Sequence, residues 1–227
     1  MKRVRKSLVV VLGILLVAVM IVLGLIGGLY SFISPRKPRP TPMPKAALPW
    51  SDDFSNPASG WQVESDFSAE VGYHEDAMRV LVKMPNLLAW AFAGREFSDF
   101  HLAVEATQVA GPDDNAYGVL VRIRDPDHFY LFSISGDGHY QVSKYDGEER
   151  KGLSGDWTPS NAIHPGAATN LLEVICQDTT MTFLVNGVQL AQVEDVDYRQ
   201  GDIGLYAGSF FEPGVEVHFD NLRVEKP

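Results

Sequence analysis

Several polar side chains recur on one side of predicted strands whose other side is apolar. His101 and Glu105 alternate with apolar residues in the run from Phe100 to Ala106, and Arg122 alternates with those from Tyr117 to Ile123. Successive side chains of a strand point to opposite faces, so these polar groups are expected to face away from the core. If the two strands are antiparallel neighbours, His101 and Glu105 lie close to Arg122.

Two further residues extend this set to a candidate ligand groove. Glu173 lies on the polar side of another apolar run, and Trp90 offers an aromatic plane. Gly118 would leave room above the sheet for a ligand ring. Sugar recognition combines an aromatic plane with charged groups that bind adjacent hydroxyls. We predict one ligand-binding groove, lined by Trp90, His101, Glu105, Arg122 and Glu173.

A simpler interpretation stays open for the same residues. Exposed charge pairs across neighbouring strands are ordinary, and a tryptophan within an apolar run is commonly part of a core. In the groove interpretation Arg122 is an exposed residue, which matters for binding and contributes weakly to folding.

The spacing of acids and histidines predicts no catalytic residue, no metal site and no cofactor. The glucanase pattern Glu-x-Asp-x-x-Glu is missing, because Gly72 stands between Glu70 and Glu75 where the pattern needs an aspartate. The six histidines are scattered and have no metal-ligand spacing. Asp53 and Asp220 could hold calcium where the first and last strands meet, but acids at turns commonly cap the backbone instead.

Alternating apolar runs separated by turn residues predict an all-β domain over residues 50–227. The turn segments 111–115, 125–127 and 136–138 separate four runs between Asp99 and Tyr145, which indicates an antiparallel meander. Asn186-Gly187 is a strong hairpin signal. About a dozen short strands without helical periodicity predict a two-sheet antiparallel jelly-roll sandwich.

The N-terminal residues have a different character. Residues 1–33 combine a basic tail with an uncharged apolar run from Leu8 to Tyr30, which is long enough to span a bilayer, and no Ala-x-Ala cleavage pattern follows it. We predict a single transmembrane helix that contacts the lipid bilayer through residues 8–30. The N-terminus is expected in the cytoplasm and the C-terminal domain outside the cell membrane. Residues 34–49 are Pro-rich and predict a semi-rigid linker.

The charge argues against one class of ligand, and the cysteine content excludes one kind of cross-link. Residues 51–227 carry 11 basic and 29 acidic residues, a net charge of −18, so binding to nucleic acid is disfavoured. The single cysteine, Cys176, excludes an intrachain disulfide. It shares an apolar strand face with Leu172 and Val174, which predicts a buried, inert thiol.

A set of short motifs also occurs in a characteristic order along residues 51–227. These motifs are Asp52-Asp53-Phe54 with Gly60-Trp61, Phe97-Ser98-Asp99-Phe100, Tyr117-Gly118-Val119-Leu120-Val121-Arg122, Phe129-Tyr130-Leu131-Phe132, Val185-Asn186-Gly187, Gly201-Asp202-Ile203-Gly204-Leu205 and Phe219-Asp220-Asn221-Leu222. Together they resemble the concanavalin A-like lectin/glucanase superfamily, in particular the 3-keto-disaccharide hydrolase-like and laminin-G-like domains of bacterial surface proteins. The resemblance implies a curved sandwich with a concave, carbohydrate-facing side. The hydrolase-like branch has an Asn-Ser-Gly-type element where Asn115-Ala116-Tyr117-Gly118 stands here, and this departure argues against inherited enzymatic activity.

Three functions follow as hypotheses. The first is a non-catalytic, membrane-anchored module that binds a glycan or another cell-surface ligand. The second is a glycoside-cleaving enzyme of the 3-keto-disaccharide hydrolase type. The third is a structural or protein-interaction ectodomain. A deep groove with paired carboxylates would favour the enzyme, and an open groove with exposed aromatics would favour binding.

Overall fold

The computed structural model of the protein describes residues 43–147 and 149–227. Fifteen strands occur in this part of the chain: β1 (Trp50–Asp52), β2 (Ala69–His74), β3 (Ala77–Val82), β4 (Leu87–Phe92), β5 (Phe100–Ala110), β6 (Asn115–Asp125), β7 (His128–Ile134), β8 (His139–Asp146), β9 (Arg150–Gly152), β10 (Thr158–Pro159), β11 (Thr169–Gln177), β12 (Thr180–Val185), β13 (Val188–Glu194), β14 (Asp202–Ser209) and β15 (Val215–Glu225). Over the described ranges no helix is long and apolar enough to cross a membrane. The predicted membrane segment, residues 8–30, lies outside them.

The strands form two antiparallel sheets, as the sequence predicts. The first sheet has the order β13-β12-β11-β5-β15-β3-β2, with β1 paired to β15. The second sheet has the order β10-β8-β7-β6-β14-β4, with β9 paired to β8. A large apolar core fills the space between the sheets; Phe100, Val104 and Phe219 of the first sheet and Tyr117 and Phe132 of the second are among its fully buried members.

The predicted four-strand meander is only partly right. Strands β6, β7 and β8 are consecutive neighbours, but β5 pairs with β11 and β15 in the other sheet. The chain therefore crosses from one sheet to the other through the turn at residues 111–114. Alternation identifies the face of a strand that is buried, but both sheets bury a face in the same core. The pattern alone does not assign a strand to a sheet.

The end of the predicted linker is attached to the folded domain. The amide of Ala46 donates to the carbonyl of Glu96, and the amide of Glu96 donates to the carbonyl of Pro44, both at 2.9 Å. Leu48 and Trp50 pack against the main core. Residues 43–49 thus run along the domain. The predicted membrane anchor, residues 1–33, and the first part of the predicted linker, residues 34–42, lie outside the described residues.

Asp202 fixes the connection between β4 and β5 to the start of β14. Its carboxylate accepts hydrogen bonds from the backbone amides of Gly94, Arg95 and Ile203, at 2.8 to 3.1 Å. The side chain is buried, and burial raises the pKa of Asp202 to about 6 although the three amide bonds favour the charged form.

This elevated pKa predicts a specific dependence of stability on pH. The folded-state pKa lies above the value of about 3.9 expected for an unfolded aspartate, so folding takes up a proton between these values. As the pH rises from 4 to 6, Asp202 should therefore lower the free energy of unfolding by about 2 kcal/mol. The measurement is denaturant unfolding of the wild type and Asp202→Asn at several pH values. A difference between the two proteins that stays constant from pH 4 to pH 6 would contradict the assignment.

Candidate functional site

The structure does not bring the five predicted site residues together. His101, Glu105 and Glu173 lie on the outer face of the first sheet, whereas Trp90 belongs to the second sheet. His101 Nε2 lies 3.1 Å from Glu173 Oε1, and Glu105 Oε2 accepts a hydrogen bond from Asn221 Nδ2 at 3.0 Å. The predicted adjacency of His101 and Glu105 to Arg122 is wrong, because β5 and β6 are not neighbours.

Arg122 is a buried residue, not an exposed one. Its side chain is 0% exposed, and its guanidinium donates to the carbonyls of Tyr198 (3.3 Å) and Asp178 (2.7 Å). The exposed carboxylate of Asp99 lies 3.8 Å away. The expected alternation fails here because the β6 register shifts between Val121 and Asp125, where Arg122 has a φ of 54°. Arg122 is therefore a structural anchor at one end of the sandwich.

The predicted space above Gly118 is occupied. In the register of the second sheet, Gly118 of β6 lies between Tyr206 of β14 and Ser133 of β7. The Tyr206 hydroxyl reaches across β6 and donates to Ser133 Oγ. Tyr206 is completely buried, which raises the pKa of its hydroxyl. A side chain at position 118 would in any case collide with the carbonyl oxygen of Phe132.

The outer face of the second sheet carries an unusual concentration of aromatic residues. A second buried apolar cluster lies on this face and includes Leu120, Leu131 and Tyr206. Around this cluster lies a set of large side chains that we call the aromatic rim: Leu88, Trp90, Phe92, Phe129, Tyr145, Trp157 and Phe210. All of them except Phe129 are only partly buried.

The rim residues hold one another in fixed orientations. The Trp90 ring stacks on Phe92 with a centroid distance of 5.8 Å, and it meets Phe129 at 6.1 Å. Trp157 precedes β10 and meets Phe210, which follows β14, at 6.1 Å. Trp90 and Trp157 both pack against the same buried cluster. These contacts leave aromatic planes partly exposed around a packed floor.

Polar groups accompany the aromatic rim at the β8–β9 side. The Arg150 guanidinium donates to Ser143 Oγ at 2.7 Å and to Ser133 Oγ at 3.5 Å. It also lies 5.9 Å from the centre of the Trp157 ring. The cross-strand row Trp90–Tyr206–Gly118–Ser133–Gln141 contains no acid or histidine, and neither does the adjacent row Phe92–Gly204–Leu120–Leu131–Ser143. The centre of this face thus offers apolar planes, hydroxyls and one guanidinium, but no group that acts as a general base at neutral pH.

Histidine and carboxylate groups lie elsewhere. At the end of the aromatic face, His139 Nδ1 is 2.9 Å from Asp137 Oδ1. Asp53 accepts hydrogen bonds from the amide and hydroxyl of Ser55, and Asp220 accepts one from the amide of Asn221, so each caps a turn. Across residues 43–147 and 149–227, no group of three or more His, Cys, Asp or Glu side chains could hold a metal ion.

The sequence gives little signal for Arg150 and Tyr206. The segment around Arg150 and Trp157 lacks apolar alternation, and nothing in the sequence shows that Tyr206 reaches across a neighbouring strand. Cys176 is buried as predicted, and burial raises the pKa of its thiol to about 12. The Asn186-Gly187 hairpin between β12 and β13 is also confirmed, with positive φ at both residues.

These features define a concanavalin A-like jelly roll, the superfamily that the ordered motifs predicted. More specifically, the chain belongs to the 3-keto-alpha-glucoside-1,2-lyase-like domain family, whose model matches residues 50–225. No curated protein matches the sequence.

Solved structures with the same fold include both binding modules and enzymes. The carbohydrate binding module CBM66 from Bacillus subtilis is 14% identical with a TM-score of 0.60, and the match covers 74% of this chain and 96% of that one. The Bacillus licheniformis beta-glucanase is 11% identical with a TM-score of 0.61, and the match covers 81% of this chain and 100% of the enzyme. An endo-acting O-glycanase structure from the human gut microbiota is 14% identical with a TM-score of 0.56, over 78% and 98% of the two chains. At these identities the similarity establishes the fold alone.

The position of Arg122 predicts a stability defect for its removal. Arg122→Ala would leave the carbonyls of Asp178 and Tyr198 without their charged donor and open a cavity among buried side chains. We expect a loss of roughly 3 kcal/mol in the free energy of unfolding. Arg199→Ala, at an exposed arginine, is the matched control and should change stability by less than about 0.5 kcal/mol. Equal stability of the two variants in denaturant unfolding would show that Arg122 is not an anchor.

Proposed function

We propose that this protein is a carbohydrate-binding module whose ligand lies on the aromatic rim of the second sheet. The observation that carries the proposal is the partial exposure of Trp90, Phe92, Tyr145 and Trp157 around a floor that is already packed. Sugar rings present C–H groups on their faces and hydroxyls at their edges. Fixed aromatic planes suit the faces, and donors such as Arg150 suit the hydroxyls.

The side chains at the centre of the outer face of the second sheet support binding without catalysis. Cleavage of a glycoside by acid–base chemistry needs two carboxyl groups that flank the bond, and an elimination needs a base beside an acidic C–H. The two central rows of the face hold neither. The name of one structural neighbour, the carbohydrate binding module CBM66, agrees with this role.

An enzymatic role is the second candidate. It is favoured by the family match, which carries the name of a lyase, and by the His139–Asp137 pair at the end of the same face. An imidazole paired with a carboxylate is a common arrangement for a general base. Incubation of the protein with the glycans that it binds, followed by analysis of the products, separates the two candidates.

The rim proposal predicts that its tryptophans contribute directly to glycan affinity. The full chain is screened on a glycan array, and the affinity of the best ligand is then measured for Trp157→Ala and Trp90→Ala. Each variant should bind about tenfold more weakly, because it loses one aromatic platform.

Phe67→Ala is the control, because Phe67 is 82% exposed and is not a member of the rim. It should bind like the wild type. Denaturant unfolding of each variant separates lost contacts from lost folding. Unchanged affinity in both folded tryptophan variants would exclude the rim as the binding site.

We further propose that the domain is displayed outside the cell on an N-terminal membrane anchor. The support is compositional: an apolar run at residues 8–30, basic residues before it and a Pro-rich segment at residues 34–49. Because the apolar run is long enough for one crossing, one end of the chain is exposed on each side of the membrane.

Trypsin added to intact cells should therefore release the domain by cleavage after Arg36. The peptide bonds that follow Lys37 and Arg39 precede proline, which trypsin does not cleave, and Lys45 is followed by an amide that is hydrogen-bonded to the domain. The released fragment is identified by its mass and by an N-terminal Lys37. Arg36→Gln should suppress the release. If the domain stays protected until the cells are lysed, the proposed orientation is wrong.

A further inference from the structure

A polar cavity lies on the side of the sandwich opposite to the aromatic rim. It has a volume of about 710 Å³ and lies where β1 and β15 meet near the middle of β5. We call it the bulge cavity, because the register of β15 against β5 shifts between Asp220 and Arg223. Asn221 within this bulge has a φ of 53° and directs its amide to Glu105. Bulges of this kind commonly redirect side chains beside functional sites.

Two arginines of the bulge cavity have unused donors. Arg95 Nε is buried without a hydrogen-bond partner, although the guanidinium lies 4.9 Å from the centre of the Trp50 ring. With the described residues, the guanidinium makes one hydrogen bond, a long one from Nη2 to the Ser59 carbonyl at 3.4 Å. The Arg223 side chain is exposed and has no hydrogen bond or ion pair with any described residue. Arg95 Nε itself is closed to solvent, so the donors that a ligand can meet are the terminal guanidinium nitrogens of Arg95 and the guanidinium of Arg223.

Two carboxylates of the same cavity have unused acceptor atoms. One oxygen of Asp53 accepts the bonds from Ser55, and one oxygen of Glu105 accepts the bond from Asn221. The second oxygen of each carboxylate accepts no hydrogen bond from the described residues. The cavity wall thus presents free donors and free acceptors together.

This mixture selects the class of ligand. An anionic ligand would be attracted by Arg95 and Arg223 but repelled by Asp53 and Glu105, and the reverse holds for a cationic ligand, so the wall favours neither net charge. Each hydroxyl of a neutral sugar both donates and accepts a hydrogen bond, so vicinal hydroxyls can bind carboxylates and guanidinium groups at once. The volume lies within the range of small-molecule sites, which extends from about 300 to 1,000 Å³.

The wall of the cavity is also rigid. Asp52 also lines the cavity, but its carboxylate is largely buried and accepts hydrogen bonds from the indole of Trp61 (3.0 Å) and the amide of Phe54 (2.9 Å). Strand β1 is paired with β15 from Trp50 to Asp52. A site held by paired backbone loses little conformational freedom when a ligand binds.

We propose that the bulge cavity is a second carbohydrate site, which binds a neutral mono- or disaccharide unit through Arg95, Arg223, Asp53 and Glu105. It is separate from the aromatic rim, since it lies at β1, β5 and β15 of the first sheet and the rim belongs to the second. A chain with two sites on opposite sides can hold two glycan strands or two segments of one strand. Such bivalence raises the overall affinity without new contacts at either site.

The four tryptophans of the chain make the two sites distinguishable in one experiment. Trp50 lines the bulge cavity, whereas Trp90 and Trp157 belong to the rim. The full chain, in a detergent without a sugar headgroup, is labelled with ¹⁵N-tryptophan and titrated with maltose as the neutral probe. The indole signals are assigned by single Trp→Phe variants. We expect the Trp50 signal to shift saturably, whether or not the rim signals respond.

Two variants test the donors and acceptors separately. Glu105→Gln and Arg223→Gln should each raise the Kd reported by the Trp50 signal about tenfold. Glu212→Gln, at an exposed acid that does not line the cavity, should leave that Kd unchanged. The proposal is overturned if maltose leaves the Trp50 signal unmoved at saturating concentration, or if both cavity variants bind like the control. It is also overturned if glucuronate shifts the Trp50 signal and maltose does not, because the cavity would then be an anion site.

Discussion

The central strands of the second sheet are buried on both faces, and much of the architecture depends on this constraint. Every residue from Asn115 to Ile123 in β6 and from Asp202 to Ser209 in β14 is buried. Apolar surface gains free energy when it leaves water, at about 25 cal/mol per Å². The first sheet covers the inner face, whereas large side chains from the margins pack over the outer one. The residues that stabilise this floor are therefore the residues that present aromatic planes to solvent.

The two outer faces of the sandwich consequently have different chemistry. The outer face of the first sheet carries ion pairs, such as Arg79 with Glu70 and Glu216, and polar contacts such as that of His101 with Glu173. Exposed pairs of this kind contribute little to stability, but they keep a large flat sheet hydrated. The outer face of the second sheet combines aromatic rings with hydroxyls. Within one chain, one outer face is thus charged and the other presents partly exposed aromatic rings.

The sequence predicted the fold better than the site, and the reason is physical. Period-two alternation reports which side of a strand is buried, and this was sufficient for the all-β sandwich and for the buried Cys176. It does not report which strands are neighbours, so β5 and β6 were placed side by side although they belong to different sheets. Arg122 was predicted to be exposed and is buried, because one bulge reverses the alternation. The contact of Arg150 with Trp157 joins residues whose segment lacked any periodic signal.

The packing of Tyr206 over Gly118 determines which substitutions these two positions accept. Position 118 is closed to any side chain by the Phe132 carbonyl. Position 206, its partner across the strands, carries a side chain and has no such restriction. The two positions therefore tolerate different changes: the glycine is fixed by backbone geometry, whereas the tyrosine can be shortened without a backbone clash. Because Tyr206 and Ser133 are both fully buried, a small residue at position 206 would leave a cavity beneath the rim side chains, with the Ser133 hydroxyl in its wall. A single substitution could thus create an internal site in the second sheet with no change in its backbone.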